Sequence, residues 1–497
     1  MLLFLLRLMA VFKAVRIGSE VLVSFLNPER HMSFTYSASK LRVPMASLFS
    51  SRLGNLLLIV FLWAAPRLSA DGDWSSWLGS RMDSVWSSEE RDLDLNGRPW
   101  VLRWSAAIGS GYAGPALSGA HVVVMDWQPD RVEDIPKDVF ERGKIPGKES
   151  IHCLDVVTGK VRWSHAYREE YTISYPAGPR ATSLMVGDTV IAVGAEGRLS
   201  ALDLSDGSLR WKKDFTEDFG AVTSTWGHAA HPLHHEGRVI CLVGGKGGAG
   251  VVAMDIQSGK EIWRSLELKQ VGYCPPSVIQ FQGRDQILVW SGDGVTGLEP
   301  SSGQVEWTFP WELRFALAVP TPRQKGNDLF LTSFYNGALM LDLGQSPPRP
   351  RWRTQKVSER DTTHLNSIMG SPFLHQGHIY GICSYGELRC LESASGRRIW
   401  QTLGATTGVG KPQERWANVF VIKNGSADRY LLFNESGDLI DCRMNPEGYR
   451  ELGRMHLIEP NGKDLRRRPI VWSHPAFGDS IICVRNDDSI RCFEWNQ

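Results

Sequence analysis

One short phrase recurs eight times along this chain and constrains its fold more than any other feature. It reads small residue, Leu or Met, acid, three residues, Gly, three residues, Trp. Full copies are Cys153-Leu154-Asp155 with Gly159 and Trp163, Ala201-Leu202-Asp203 with Gly207 and Trp211, and Ala253-Met254-Asp255 with Gly259 and Trp263. Glu replaces Asp in Gly297-Leu298-Glu299 with Gly303 and Trp307, and in Cys390-Leu391-Glu392 with Gly396 and Trp400. Looser copies end at Trp352 and, with Leu for Trp, at Leu452; the last, Cys492-Phe493-Glu494, meets the chain end. The missing strand stands at the other end of the domain, from Trp100 to Trp104.

Successive Trp positions lie 44 to 59 residues apart. A period near 40–50 residues built only of strands and turns predicts propeller blades. Each repeat contains a β-rich run such as Thr189–Val193, a Gly turn, the phrase, a second turn and the Trp strand, with the alternation and turn residues of hairpins. The acid suits a turn whose N–H groups need an acceptor, and Gly takes positive φ there. The small residue lets blades approach while Trp fills the gap between sheets. The expected fold is therefore all-β: eight four-stranded blades closed by pairing the N-terminal strand with the last blade, which removes an open edge.

The same phrase resembles the repeat of the PQQ-like, quinoprotein-type β-propellers, over about residues 100–497. Residues Asp73–Trp77 with Gly79 are similar to the lead-in of secreted bacterial members of unknown role. That superfamily includes pyrroloquinoline-quinone dehydrogenases and a scaffold of the outer-membrane barrel assembly machine. The resemblance implies the fold; activity has to be argued from the site.

The expected organisation is a misassigned extension over 1–44, a signal peptide over 45–70, a lead-in over 71–99 and the propeller over 100–497. Translation from Met45 would place the apolar run 56–65 behind Arg52 and a small-residue cleavage site at Leu68–Ala70. A retained signal anchor in the inner membrane is the alternative. Either way the chain is expected to be secreted or periplasmic, and monomeric. A formal net charge of +1 gives no field toward nucleic acid, and Arg466–Arg468 is read as a solvated loop. Of the eight cysteines, Cys153, Cys390, Cys442 and Cys492 take the small-residue slot and are expected to be free buried thiols. Symmetric turns would set Cys383 opposite Cys390 and Cys483 opposite Cys492, so cross-strand disulfides are the competing reading.

Two motifs mimic a kinase: the glycine run Gly245–Gly250 and the triplet Asp218-Phe219-Gly220. Their order is reversed and no catalytic loop accompanies them, so the glycines are read as a hairpin turn. A quinone dehydrogenase would need a calcium site, an acid base, a Trp floor and often a vicinal disulfide. The chain has no Cys-Cys pair. Glu170, Asp218, Glu312, Asp361 and Glu414 are its candidate carboxylates. No cofactor and no metal are expected, with PQQ and calcium as the alternative.

The segments leading into each blade's first strand converge on one channel mouth if that strand is innermost. They supply Arg180, Arg314 and Arg415, His228, His364 and His474, Asn366, and the rings of Tyr112, Tyr175, Tyr273, Trp226, Trp416 and Trp472. The ligand-binding candidates are Arg180, His228, His364, Asn366, Arg415, Trp416, Trp472 and His474. Guanidinium forks suit carboxylate or phosphate, and flat rings stack on sugars or quinones. The expected function is binding or scaffolding, with a small anionic or sugar-like ligand or a cell-envelope protein at the mouth. A divergent PQQ-dependent oxidoreductase and a pure protein-interaction scaffold are the alternatives. The long insertion Trp127–Ser150 reads as a lid or a docking surface.

Overall fold

A computed structural model describes residues 13–17, 20–27, 30–36, 73–97, 100–360 and 362–495. Chain contacts divide it into two units, Met1–Leu68 and Ser69–Gln497. The first contains an antiparallel sheet of Lys13–Ile17, Glu20–Asn27 and Arg30–Tyr36. The signal-peptide reading of residues 45–70 lies outside the described residues. No helix among the described residues is long and apolar enough to cross a membrane.

The second unit is an eight-bladed ring of four-stranded antiparallel sheets. Blade 2 shows the plan, with Leu184–Val186 innermost, then Thr189–Val193, Arg198–Asp203 and, outermost, Leu209–Asp214. The ring closes as the repeats require. Val101–Ala107 joins Ala476–Phe477, Ile481–Arg485 and Ser489–Glu494 as the outer strand of blade 8, with Trp104 opposite Cys492.

The repeated phrase is a joint between blades. At four joints Trp104, Trp163, Trp211 and Trp263 lie opposite the small residue of their own blade and lay the indole on the Gly of the next. Trp104 donates its Nε1–H to the Val156 carbonyl at 2.9 Å, Trp163 to Leu204 at 2.8 Å and Trp211 to Ile256 at 2.9 Å. A Cβ on Gly159 would stand 2.5 Å from Trp104, so this glycine serves both a positive φ of 68° and a close approach. Asp155 accepts the Thr158 N–H at 2.9 Å within the same turn, and its Arg162 partner holds its carboxyl down to about 2. Trp307 departs from the pattern and donates to the Gln286 side chain at 2.7 Å.

Blade 7 corrects the sequence register. The residue pairing that Trp makes elsewhere falls on Asp441 and Gly453, so the small slot is not Cys442 and the Trp equivalent is not Leu452. A Cβ on Gly453 would meet the Leu95 Cβ at 3.0 Å, so the lead-in fills the place of the absent indole. Cys383 does not face Cys390 either. Tyr380 pairs with Cys390, while Cys383 donates its N–H to the Glu387 carbonyl. Cys483 does pair with Cys492, and all eight cysteines are buried and free.

The kinase-like motifs are turn structure. Phe215–Phe219 is a single helical turn capped by Asp214, with Gly220 in the left-handed C-cap position. The glycine turn of blade 3 rests on it, Lys246 donating its N–H to the Phe219 carbonyl at 2.8 Å.

The lead-in does more than precede the ring. Trp74 bridges to Leu117 of blade 1, Ser75 accepts the Met185 N–H of blade 2, and Val85–Ser87 adds a parallel fifth strand to blade 7. Arg323 of blade 5, buried, donates to the Met82 carbonyl and the Ser84 hydroxyl at 2.9 and 2.7 Å. Trp77 stacks on His231 of blade 3, meets Phe420 and His474 of blades 7 and 8, and donates to Thr321 of blade 5. Contact with blades on every side places this indole in the channel, and the lead-in plugs that end.

Candidate functional site at the open channel mouth

At the other end, the segments between outermost and innermost strands meet the turns joining second and third strands. Phe334, Leu317 and Tyr273 form the buried floor of an aromatic cluster, with Trp226, Tyr335 and Trp416 packed against it. Tyr112 and Tyr175 flank Trp472, ring centres 6.2 and 6.1 Å away. Tyr175, Phe315 and Trp416 have φ of 53°, 58° and 66°, a conformation bulky side chains rarely adopt. Each costs of order 1–3 kcal/mol, held by the surrounding packing. Phe315 remains 56% exposed.

The expected arginines reach this mouth, but the protein's own acceptors hold two of them. Arg180 donates to the carbonyls of Ser174, Tyr175 and Gly178 and lies over the Tyr112 ring at 5.4 Å. Its burial lowers its pKa against the pull of the nearby phenols and carboxylates. Arg415 pairs with Glu359 at 2.6 Å, touches the Tyr335 hydroxyl at 3.3 Å and covers Trp416 at 4.4 Å. Arg314 lies over Phe315 and Tyr335, at 5.0 and 4.8 Å. Trp472 donates to Glu435 at 3.2 Å; burial raises that carboxyl's pKa despite Arg468 beside it.

Asn366 is buried, with its amide N–H groups on the Phe334 and Ser358 carbonyls at 3.0 and 3.1 Å. Its Oδ1 has no partner among the described groups. The histidines separate from this set. His228 packs edge-on against Phe215, buried, with burial pulling it down to about 4. His364 stacks on Trp352 and meets Thr354 Oγ1 at 3.1 Å, at the joint between blades 5 and 6. His474 faces the plug, between Trp77, Trp74 and Phe420. The structure therefore brings Arg180, Asn366, Arg415, Trp416 and Trp472 to the mouth region and sets the three histidines elsewhere.

The insertion lengthens blade 1 into a fin, with strands His121–Pro129, Ile145–Asp155 and Val161–Tyr171 of nine, eleven and eleven residues. Its base is fixed by Glu149, fully buried, which accepts from Tyr167, Tyr171 and the Ala195 N–H. Burial raises the Glu149 pKa against those three donors. The fin's tip then bends to the mouth. Tyr175 donates its N–H to the Val139 carbonyl at 2.6 Å, and Phe140 packs edge-on against Tyr175 and Trp416. Sequence reasoning missed this link and the plug, because neither segment belongs to the repeat.

A calcium-bound quinone is a poor match to these donors. No three His, Cys, Asp or Glu side chains among the described residues are grouped to hold a metal ion. Glu359 and Glu435 are each bound to an arginine, and Glu414 pairs with Arg466 at 3.3 Å. Glu170 pairs with Lys144, Asp218 accepts the Asp214 N–H, and Glu312 is exposed. Asp361 lies outside the described residues.

Known proteins agree with the fold. An outer membrane protein assembly factor BamB of Burkholderia pseudomallei (strain K96243) is 24% identical over 245 residues, 47% of this chain and 58% of that protein. The BamB of Moranella endobia (strain PCIT) is 25% identical, over 43% of this chain and 55% of that protein. The matched region thus spans little more than half the length of these curated relatives. Among solved structures, BamB from Moraxella catarrhalis superposes with a TM-score of 0.50 at 14% identity, covering 80% of this chain and 98% of that one. A europium-containing methanol dehydrogenase gives 0.56 at 12% identity, covering 85% and 98%. Both likenesses concern the fold alone. A family model described as outer membrane protein assembly factor BamB matches residues 147–402, and this chain belongs to that family.

Proposed function

We propose that the protein is an extracytoplasmic interaction scaffold that works in outer membrane protein assembly and meets its partner at the open mouth. The observation that carries this reading is the state of the mouth's side chains. Arg180 and Arg415 are bound to internal acceptors, which leaves few free donors for a small anion. What faces solvent is a rim of aromatic rings braced by cations, with Phe315 foremost. Aromatic and Arg side chains in that arrangement are typical anchors of protein interfaces. Family membership and the names of the curated relatives supply the biological setting. The plug supports the same reading, since a channel closed at one end serves as a rigid platform.

A strain lacking the gene tests this. Outer membrane β-barrel proteins should fall in abundance and recover with the wild-type gene. A photo-crosslinking residue at Phe315 should capture an envelope protein, and one at Leu209, on the outer rim of blade 2, should not. Unchanged barrel levels would remove the assembly role. Capture from Leu209 but not Phe315 would move the docking face away from the mouth.

A further inference from the structure

Blade 1 carries a second constellation, on the sheet face opposite the repeat's Cys153 and Trp163. Asp126, His152 and Ser164 occupy its second, third and outermost strands. His152 lies directly opposite Ser164 on one side and Val124 on the other, and Asp126 is two residues beyond Val124. Period-two alternation therefore puts all three side chains on the same face of the sheet. Trp163 and Cys153, their chain neighbours, point the other way into the core shared with blade 2.

The three side chains are linked in series. Ser164 Oγ is 2.7 Å from His152 Nδ1, and His152 Nε2 is 3.1 Å from Asp126 Oδ2. The same Asp126 oxygen accepts the Gly109 N–H at 2.5 Å, which fixes the carboxylate from behind. Burial opposes its charge, but the His152 hydrogen bond, the Gly109 N–H and Arg485 outweigh it and keep the Asp126 pKa low. An ionised carboxylate only accepts, so Nε2 must carry the imidazole proton. Nδ1 of the neutral ring is then a lone pair, and the Ser164 hydroxyl donates to it. Exposure rises along the series, from 2% for the Asp126 side chain through 19% for His152 to an exposed Ser164.

We propose that Ser164 is an acyl-accepting nucleophile, activated by His152 as general base and with Asp126 as the positioning residue, and that it reacts with activated esters arriving from solvent. In this step Ser164 Oγ bonds to the ester carbonyl carbon while its proton passes to His152 Nδ1. The carbon–oxygen bond to the leaving alcohol then breaks, and His152 returns the proton to that oxygen. Asp126 stabilises the imidazolium in between. Water attacking the acyl-serine by the same relay would release the acid, so no oxidant or further reactant is required. Nothing in this step depends on the mouth or on the scaffold reading.

The full-length chain is treated with a fluorophosphonate probe, which Ser164 would displace at phosphorus with loss of fluoride, and with p-nitrophenyl acetate. Peptide mapping should find one adduct, on Ser164, and Ser164→Ala should abolish it. His152→Ala should slow labelling at least about 100-fold, as loss of a general base does. Both side chains lie at or near the surface, so unchanged urea midpoints should show that the variants fold. Labelling that survives Ser164→Ala, no labelling of the wild type, or a His152→Ala variant reacting at the wild-type rate would each overturn the proposal.

Discussion

The indole of Trp77 lies flat on the imidazole of His231, ring centres 4.1 Å apart and planes 7° from parallel. Trp77 belongs to the lead-in and His231 to blade 3, so this contact fastens a segment outside the repeat into the ring. Its other neighbours, Phe420, His474 and Thr321, come from blades 7, 8 and 5. One side chain thus links four blades. Trp77→Ala should lower unfolding stability by about 3 kcal/mol, the usual scale for emptying a large aromatic site. Urea unfolding followed by circular dichroism measures it, and a loss under about 1 kcal/mol would mean the plug is held without its Trp.

The same contact makes the plug acid-sensitive. Burial is the main cause that takes both His231 and His474 down to about 3, with His474 further disfavouring charge on His231 and Arg323 disfavouring charge on His474. The unfolded imidazole titrates near 6.5, so the unfolded chain binds protons first. The stabilisation is complete above about pH 6.5 and is lost as pH falls from there toward 3. Roughly 3 kcal/mol per imidazole should disappear by pH 4. Glu149 and Glu435, whose pKa values are raised, act with the opposite sign, so the test compares variants rather than absolute curves. His474→Gln should flatten the fall in urea midpoint between pH 7 and pH 4.5; an unchanged slope would sink the assignment.

Blade joints distinguish two kinds of glycine. Gly159 and Gly187 have φ of 68° and 60°, yet only Gly159 has Trp104 within reach of an added Cβ, while Gly187 faces open space. Gly187→Ala should cost about 1 kcal/mol, from backbone strain alone. Gly159→Ala should cost several times more, because it must also displace the indole that closes the ring. Equal losses for the two would refute the close-packing account of the repeat.

What the sequence made legible follows from what the repeat encodes. Trp, Gly and the acid recur because most joints use the same indole, the same left-handed turn and the same acceptor, so eight blades and their closure could be counted. The register slip at Asp441 was hidden because Leu452 adjoins Gly453 and fits the phrase better than a glycine does. Arg180 and Arg415 were legible because the crossing segments run to the mouth. His364 was not, since the same kind of segment turns its imidazole outward onto Trp352. The Asp126–His152–Ser164 series depends on pairing across three strands, which no spacing along the chain reveals.

Thiol chemistry offers a direct check on the cores between blades. All eight cysteines are buried, and burial pushes Cys153 and Cys241 up to about 12 and Cys390 to about 11. Thiolates are the reactive form, so the native protein should be inert to Ellman's reagent at pH 8. In guanidinium without reductant, eight thiols should titrate. A count of six would mean that Cys483 and Cys492, opposite one another, are joined.

Titration with pyrroloquinoline quinone and calcium decides between platform and enzyme. The resemblance to quinoprotein-type propellers raises this cofactor as an alternative, but here Arg415 is committed to Glu359 and Glu435 to Arg468 and Trp472. Freeing these groups for a tricarboxylate and a cation would break two ion pairs, one of them buried, and desolvated pairs are costly to part. Trp416 and Trp472 belong to the aromatic groups at the mouth, so Trp fluorescence is the readout for occupancy there. The expected result is no saturable change up to tens of micromolar, with or without calcium. Saturable quenching that Trp416→Ala and Arg415→Ala both abolish would instead show that the mouth rearranges around the quinone, and oxidation of alcohols and sugars would become the reaction to assay.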